Sequence, residues 1–563
     1  MKTPPHLPAI FKSDSALHVV QLCAGAVAIG LIFWKLQFST QAICCGDYDG
    51  YYHIKWSRML WESLRNRSFP PPFTWLPLTS LDPRNYVDHH LLFHFFQMPF
   101  TAFRDLRLGA KISSMIFASA AVFSCYWLLV RYRIRYSLVW LLALLACSAP
   151  FLYRLSMAKA PPFAIIYLVI GIYLLFTKKY WPLVLLGFIF ALTYDMFVLL
   201  ILATFIWTAV IGWTERRFDW QPIAWVLFGT AAGLIINPYF PINFHLLYEH
   251  LKVKLTLADF STKVGKEWYP YDSWEFMVNS VVACVAMIVG YISFDPSDRQ
   301  RSSHSLFFLI FATVLMVMTA RWKRIAEYWP PFAVIFSAFA LQPWLQGARS
   351  SLTGLPTDVL DELQPYLDRS QSAALTKEDE TRALWRTVAV AFVAISLGTV
   401  LFFNLRVTFK DIASSDPRDY FRAGAEWMRS NVPAGQRVFN TDWDDFPRLF
   451  YYDPSHNYVS GLDPTYLYDR DPDLSKLYDR ITLGEEEDPG PLIRDRFGAR
   501  YVFTDNAHED FSDNAKASGW FDIIYEDHDC TVLHIRDEKA EPQTQEPDTT
   551  DGADEEPQND NSR

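Results

Sequence analysis

The stretch ISSMIFASAAVFSCYWLLV, residues 112–130, decides what kind of chain this is. It holds no Asp, Glu, Lys or Arg, and it is close to the ~20 apolar residues that cross the hydrocarbon of a bilayer as one helix. A second such run, TVAVAFVAISLGTVLFFNL, occupies 387–405. Similar runs give about eleven predicted spans, at 17–37, 110–131, 136–153, 162–177, 181–194, 196–213, 222–239, 276–294, 305–320, 329–345 and 385–404. The expected fold is therefore mainly α: a polytopic transmembrane helical bundle of about 11–13 spans over 17–404, with a further domain behind it. The chain has 563 residues, 51% of them hydrophobic, yet a formal charge of −10, so two populations of residues share it. Acids concentrate after residue 410, and 536–563 is nearly free of apolar side chains. Such a tail cannot bury enough surface to offset its entropy and is expected to be disordered.

The seven cysteines form no CxxC pair, so neither a zinc site nor a disulfide framework is indicated. No A-x-A cleavage site follows the first apolar run, which reads as an anchor. No internal repeat is visible, and no nucleic-acid partner is expected.

Sidedness follows from Lys and Arg. The short connections RYRIR (131–135), TKK (177–179), TERR (214–217) and DRQR (298–301) are basic. All fall on one side if 181–213 is a hairpin of two spans, and the positive-inside rule puts that side in the cytoplasm. The N-terminus, 1–16, is then cytoplasmic, as is a polar insert at 346–384. Loops 38–109, 154–161, 240–275 and 321–328 lie outside, with everything after 405. The expected location is an inner or plasma membrane. Within the first loop, YYHIKWSRMLWESLRNR reads as an amphipathic helix, either at the interface with Ile54, Met59, Leu60 and Leu64 toward lipid or as an ordinary surface helix. The region 405–535 mixes helix-like DYFRAGAEWMRSNVP, DLSKLYDRI and PGPLIRDRFG with strand-like QRVFNT, ARYVFTDN, FDIIYED and TVLHIRD. That alternation predicts a small extracytoplasmic α/β domain.

The polar residues that stand out lie in the outer loops. CCGDYDGYYHIKWSRML (44–60) places Asp47 and Asp49 at a membrane exit, and NYVDHHLLFH brings Asp88, His89, His90 and His94. YRLSMAKAPP supplies Arg154 and Lys159, and KVGKEWYPYDSW supplies Glu267. RWKRIAEYWPP supplies Arg321, Lys323, Arg324 and Glu327, and NTDWDDFPRLFYYD supplies Trp443 and Asp444. Each has a bland reading. Asp49 beside Gly50 can be a turn former, Asp88 a helix N-cap, His94 a packed histidine, and the cations can reach headgroups. The functional readings are an anion site, where arginine offers paired donors, and carboxylates that hold Mg²⁺ or Mn²⁺.

Taken together, GDYDGYYHIKW, KEWYPYDSW, RIAEYWPP and TDWDDFPRLFYYD resemble motifs of the catalytic subunit of oligosaccharyltransferase, in the GT-C class of polytopic glycosyltransferases. The resemblance implies transfer of a sugar or oligosaccharide from a polyprenyl-phosphate or -pyrophosphate donor to a protein, lipid or glycan acceptor on the extracytoplasmic face. It implies Asp49, Glu267 and Asp47 as catalytic residues. Arg324, Arg321, Lys159 and Arg154 are expected on the donor phosphate, and Trp443 and Asp444 on the acceptor. Asp49, Asp88 and His90 are expected around Mg²⁺ or Mn²⁺. This chain departs from the family in its external-domain signature, where Asp442 replaces the first Trp and Asp445-Phe446 the closing Tyr-Gly, and in the acid-free loop 154–161. That loop suits a metal-independent relative with a monophosphate donor, in which Lys159 or Arg154 takes the ion's place. A transporter of lipid-linked sugars, to which Asp195 would belong, and a non-catalytic scaffold are the readings from other classes.

Overall fold

The computed structural model describes residues 14–41, 48–248, 266–297, 303–346 and 377–540. Asp47, residues 347–376 of the polar insert and the acidic tail beyond 540 lie outside them. Every apolar run named above is helical. The helices are α1 (Asp14–Gln37), α2 (Asp49–Arg65), α3 (Leu91–Gln97), α4 (Leu106–Arg131), α5 (Ser137–Ala146), α6 (Ala149–Leu155), α7 (Pro161–Phe176), α8 (Leu183–Thr193), α9 (Val198–Thr214) and α10 (Gln221–Ile235). After them come α11 (Ser273–Asn279), α12 (Val281–Ser293), α13 (Ser303–Arg321), α14 (Trp329–Gln346) and α15 (Lys377–Ala413). The molecule is a polytopic helical bundle with a small sheet domain after α15.

Among the described residues, five helices are long and apolar enough to cross a membrane, and seven if each sharply bent pair counts as one. The predicted span 136–153 is such a pair: α5 and α6 meet at 83°. Ser148 ends the run by capping α6, its hydroxyl accepting from Phe151 N, with a proline in the first turn beyond it. The span predicted at 276–294 begins with a second bend of 86° between α11 and α12. The 181–213 region is two helices, as expected, with Asp195 in the turn between α8 and α9. The apolar window of α15 is only 6% buried, so that helix presents its side chains to lipid. α14 is the opposite case, its residues enclosed by the other helices as far as Ala340. α8 and α10 touch through glycines: a Cβ on Gly229 would run into the Val184 carbonyl, so backbones meet there without side chains between them.

The bundle has two distinct ends. At one, Tyr132, Phe176, Trp207 and His304 form a ring cluster. There too Lys178 pairs with Glu215 at 2.6 Å, and Arg135 N donates to Gln342. The basic connections after α4, α7 and α9 thus share one end. The starts of α7 and α9 and the end of α13 share the other, where the sheet domain sits.

That domain has five strands, β1 (Arg437–Asn440), β2 (Asn457–Tyr458), β3 (Tyr501–Asp505), β4 (Phe521–Glu526) and β5 (Cys530–Ile535). Their order is β2-β1-β3-β5-β4. β1 runs parallel to β2 and β3, and β5 is antiparallel to both β3 and β4. The two-residue β2 is too short to leave a sequence signal. Alternation along the strands divides the core. Val502 faces an apolar cluster with Phe439, Phe511 and Leu533. Phe503 faces the other way, into a core continuous with the bundle. Gly498 closes the helical segment before β3 in the left-handed region, at φ +64°.

α2 is the bridge between the two parts. Ile54 and Leu60, expected to face lipid, are 0% exposed. They are covered because α3 and the helix Phe446–Tyr452 pack on that face, Tyr51 meeting the Tyr451 ring edge-on at 5.3 Å. The buried Arg448 lies over the Tyr48 ring, 3.8 Å from its centroid, and pairs with Asp416 at 2.9 Å. Trp75 Nε1 donates to the Pro454 carbonyl, and Ser80 N to the Tyr466 carbonyl.

Candidate active site

At the sheet-domain end a polar cavity of about 100 Å³ opens between α2, the turn before α3, the start of α7, the α8–α9 turn and the loops at 267 and 324. Asp49, Asp88, His90, Lys159, Glu267 and Arg324 all line it, together with His53, Tyr194 and Asp195. Residues from six distant stretches therefore share one space. Leu462, Asp463 and Tyr466 line it from the sheet domain. Leu462 holds φ +66° there, a left-handed conformation that costs a leucine about 1–3 kcal/mol.

Asp49 opens α2, where the free N–H groups of a first turn favour a carboxylate. Its Oδ2 lies 2.8 Å from Lys159 Nζ. Lys159 stands in the bend just before Pro161 starts α7. A protein cation thus sits beside the acid that the resemblance assigns to a metal.

Glu267 gives one oxygen to each of two arginines. Oε2 accepts from Arg154 Nη2 at 2.7 Å, and Oε1 accepts from Arg324 Nη1. Arg154 Nε also donates to Glu327 Oε1 at 2.6 Å, and Arg324 Nη2 donates to the Tyr194 hydroxyl at 2.7 Å. Burial alone would raise the Glu267 carboxyl. The Arg324, Arg154 and Lys159 charges outweigh it and hold the group well below the usual carboxylate range. Arg324 Nε is buried and has no hydrogen-bond partner among the described residues.

The ligand set expected around a divalent ion does not assemble among the described residues. Asp88 is 2% exposed and fully engaged. Its Oδ2 accepts from His94 Nδ1 at 2.8 Å and from Trp56 Nε1 at 3.0 Å, and its Oδ1 accepts from His90 N at 3.0 Å. The His90 ring stacks on Tyr194, centroids 5.4 Å apart. Among the described residues, the His, Asp and Glu atoms that come close enough together to hold an ion belong to Asp527, His528 and Asp529, in the turn before β5.

Arg154 lies behind Glu267 and braces it, outside the cavity lining. Arg321 is also outside, its guanidinium 5.8 Å from the Trp322 ring. Trp443 and Asp444 occupy a short turn after β1 and do not line the cavity. Asp444 lies near enough to Tyr48, the residue before Asp49, for its charge to act on that phenol. Burial, with the Asp416 and Asp444 charges, pushes the Tyr48 phenol up against the effect of Arg448. Asp463 and Tyr466 take the place in the lining that the sequence assigned to that turn, and no local signal marks them. His53 belongs to the motif GDYDGYYHIKW, and no local signal in that motif marks it as a cavity residue.

The helical bundle with a small mixed sheet is a fold that this chain shares with solved membrane glycosyltransferases. The Archaeoglobus fulgidus oligosaccharyltransferase, in its apo form, superposes with a TM-score of 0.55 over 89% of this chain and 73% of its own, at 12% identity. ArnT from Cupriavidus metallidurans, bound to undecaprenyl phosphate, gives 0.54 over 94% and 100%, at 13% identity. The archaeal enzyme was also solved tethered to an acceptor peptide containing the NVT sequon, and in complex with Zn and sulfate. No protein-family profile and no curated protein sequence matches the chain.

Proposed function

We propose that the chain is an integral-membrane glycosyltransferase. It takes a sugar or oligosaccharide from a polyprenyl-phosphate or -pyrophosphate donor and passes it to an acceptor on the extracytoplasmic face. One observation carries this reading: Asp49, Lys159, Glu267 and Arg324, far apart in sequence, meet at one cavity beneath the sheet domain of a GT-C fold. The N-terminus and basic connections then face the cytoplasm, and the sheet domain faces outward.

The chemistry follows from the contacts. An acceptor nucleophile attacks the anomeric carbon, and negative charge grows on the departing phosphate. Lys159 and Arg324, both in the cavity lining, are the cations that meet that charge, in a site where such contacts are worth more than in solvent. Glu267, held between two arginines, aims Arg324 instead of contacting the acceptor itself. Asp49 keeps Lys159 in place. The acceptor enters past Asp463 and Tyr466.

Lys159 beside Asp49, with Asp88 fully engaged, favours catalysis without a resident metal. A divalent ion carried in with the donor is the second reading. It is supported by the lining, where Asp49, Asp88, Asp195, Glu267 and Asp463 face only Lys159 and Arg324. The deciding experiment is mass spectrometry of membrane and secreted products from cells with the protein, without it, and with Asp49→Asn. A glycan-bearing product that vanishes in both of the latter is expected. Identical products in all three would sink the reading. Transfer that persists in chelator supports the lysine version, and its loss supports the ion.

A further inference from the structure

Asp195 is the acid of the cavity wall that the transfer step leaves unused. It opens the short turn Asp195–Phe197 between α8 and α9 and lines the cavity. Neither oxygen of its carboxylate accepts a hydrogen bond from a described residue, and Oδ1 is buried. The other acids of the lining are engaged. Asp49 faces Lys159, Glu267 is shared by two arginines, and Asp88 takes His94 and Trp56. Asp463 Oδ1 accepts from Thr465 N at 3.0 Å and from Thr465 Oγ1 at 2.7 Å. A buried acceptor without a donor costs its full desolvation, more so when it is charged. The donors that satisfy Asp195 are therefore expected from what enters the cavity. The residue before it, Tyr194, accepts on its hydroxyl from Arg324 Nη2 at 2.7 Å. The Asp195 charge reaches both the Arg324 guanidinium and the Tyr466 phenol, with no ion pair to Arg324 among the described residues.

We propose that Asp195 selects the donor sugar, and that this sugar is uncharged and carries free hydroxyl groups. This rests on the transferase reading and deepens it. Arg324 meets the donor phosphate, and the sugar is joined to that phosphate through one oxygen. The sugar thus lies beside Asp195, between the phosphate at Arg324 and the acceptor entering past Tyr466. A carboxylate only accepts, and its two oxygens take two neighbouring hydroxyls of a sugar ring. The same group turns away a uronic sugar. Asp195 shares the lining with Asp49, Asp88, Glu267 and Asp463, against Lys159 and Arg324. The donor phosphate draws on those two cations, so a carboxylate on the sugar meets like charge alone. Repulsion of the wrong ligand adds to attraction of the right one.

The test uses the purified full-length chain with a membrane extract as acceptor. The donors are polyprenyl-phosphate and -pyrophosphate glucose, galactose, mannose and xylose, with glucuronic and galacturonic acid as the charged set. The preferred neutral sugar is then supplied in its singly deoxygenated forms. In the wild type, one deoxy donor should lose ~10–100-fold in kcat/KM, the worth of a hydrogen bond to a charged group. In Asp195→Ala the parent sugar should fall by the same factor and that deoxy donor no further, because the missing hydroxyl has no partner left to lose. Asp195→Asn keeps an acceptor oxygen without the charge. It should fall less on the neutral sugar and gain on the uronic one, and this arm stands if the alanine variant does not fold. Equal loss on every donor, which a structural role would give, overturns the proposal, as does Asp195→Ala matching the wild type or a wild type that prefers a uronic donor. Binding of the same donors by native mass spectrometry needs no turnover: the wild type should hold the neutral donor more tightly than the uronic one, and Asp195→Ala should not distinguish them. That binding pattern without transfer counts against the transferase reading alone. A wild type that binds none of the donors overturns both.

Discussion

Asp49, Glu267 and Arg324 were each legible because a short motif surrounds them. Their surroundings were not. That Glu267 takes two arginines and that Asp88 is enclosed by His94 and Trp56 depends on residues far off in the chain. Glu327 is 1% exposed and holds Arg154. Glu327→Gln leaves a buried guanidinium with one counter-charge fewer, and a loss of about 3 kcal/mol is expected, read as a lower unfolding temperature in detergent. Glu267 predicts a pH effect. Its folded-state carboxyl is depressed from an ordinary value of 4.5, so its stabilisation is fully present above that value and is lost as pH falls toward the folded one. The stability gap between wild type and Glu267→Gln should therefore narrow as pH drops below about 4.5, in thermal scans across a pH series.

At the scale of elements, hydropathy located every apolar helix but not the breaks within two of them. Ser148 with Pro150, and Ser280 between α11 and α12, turn the chain where apolar content alone runs on. The amphipathic pattern of α2 was visible, and its partner was not: the buried face meets the sheet domain. Arg448 ties them, so Arg448→Ala should loosen the domain and expose the segment after α15 to limited proteolysis, with Asp416 left unpaired. Gly229→Ala would push α8 from α10. Overpacking of this kind costs about 1–3 kcal/mol, and the lower unfolding temperature should come without loss of helical circular dichroism.

For the whole molecule, the basic connections and the cavity occupy opposite ends of the bundle, which gives the orientation a direct test. In a cysteine-free background, a cysteine replacing exposed Arg470 should react with a membrane-impermeant maleimide in intact cells. One replacing Lys178 should react only after permeabilisation. The reverse result would place the cavity on the cytoplasmic side.

Hydropathy, charge bias and strand alternation each act over a few neighbouring residues, and a single chain displays them in order. They determined that this protein is a helical membrane bundle with an α/β domain behind it, and which loops carry its unusual polar groups. The tertiary structure alone decided that Lys159 stands against Asp49, that His94 and Trp56 enclose Asp88, and that Asp463 and Tyr466 line the cavity. Those pairings join segments tens to hundreds of residues apart. Their geometry follows from how helices and sheet pack, and no local pattern encodes it.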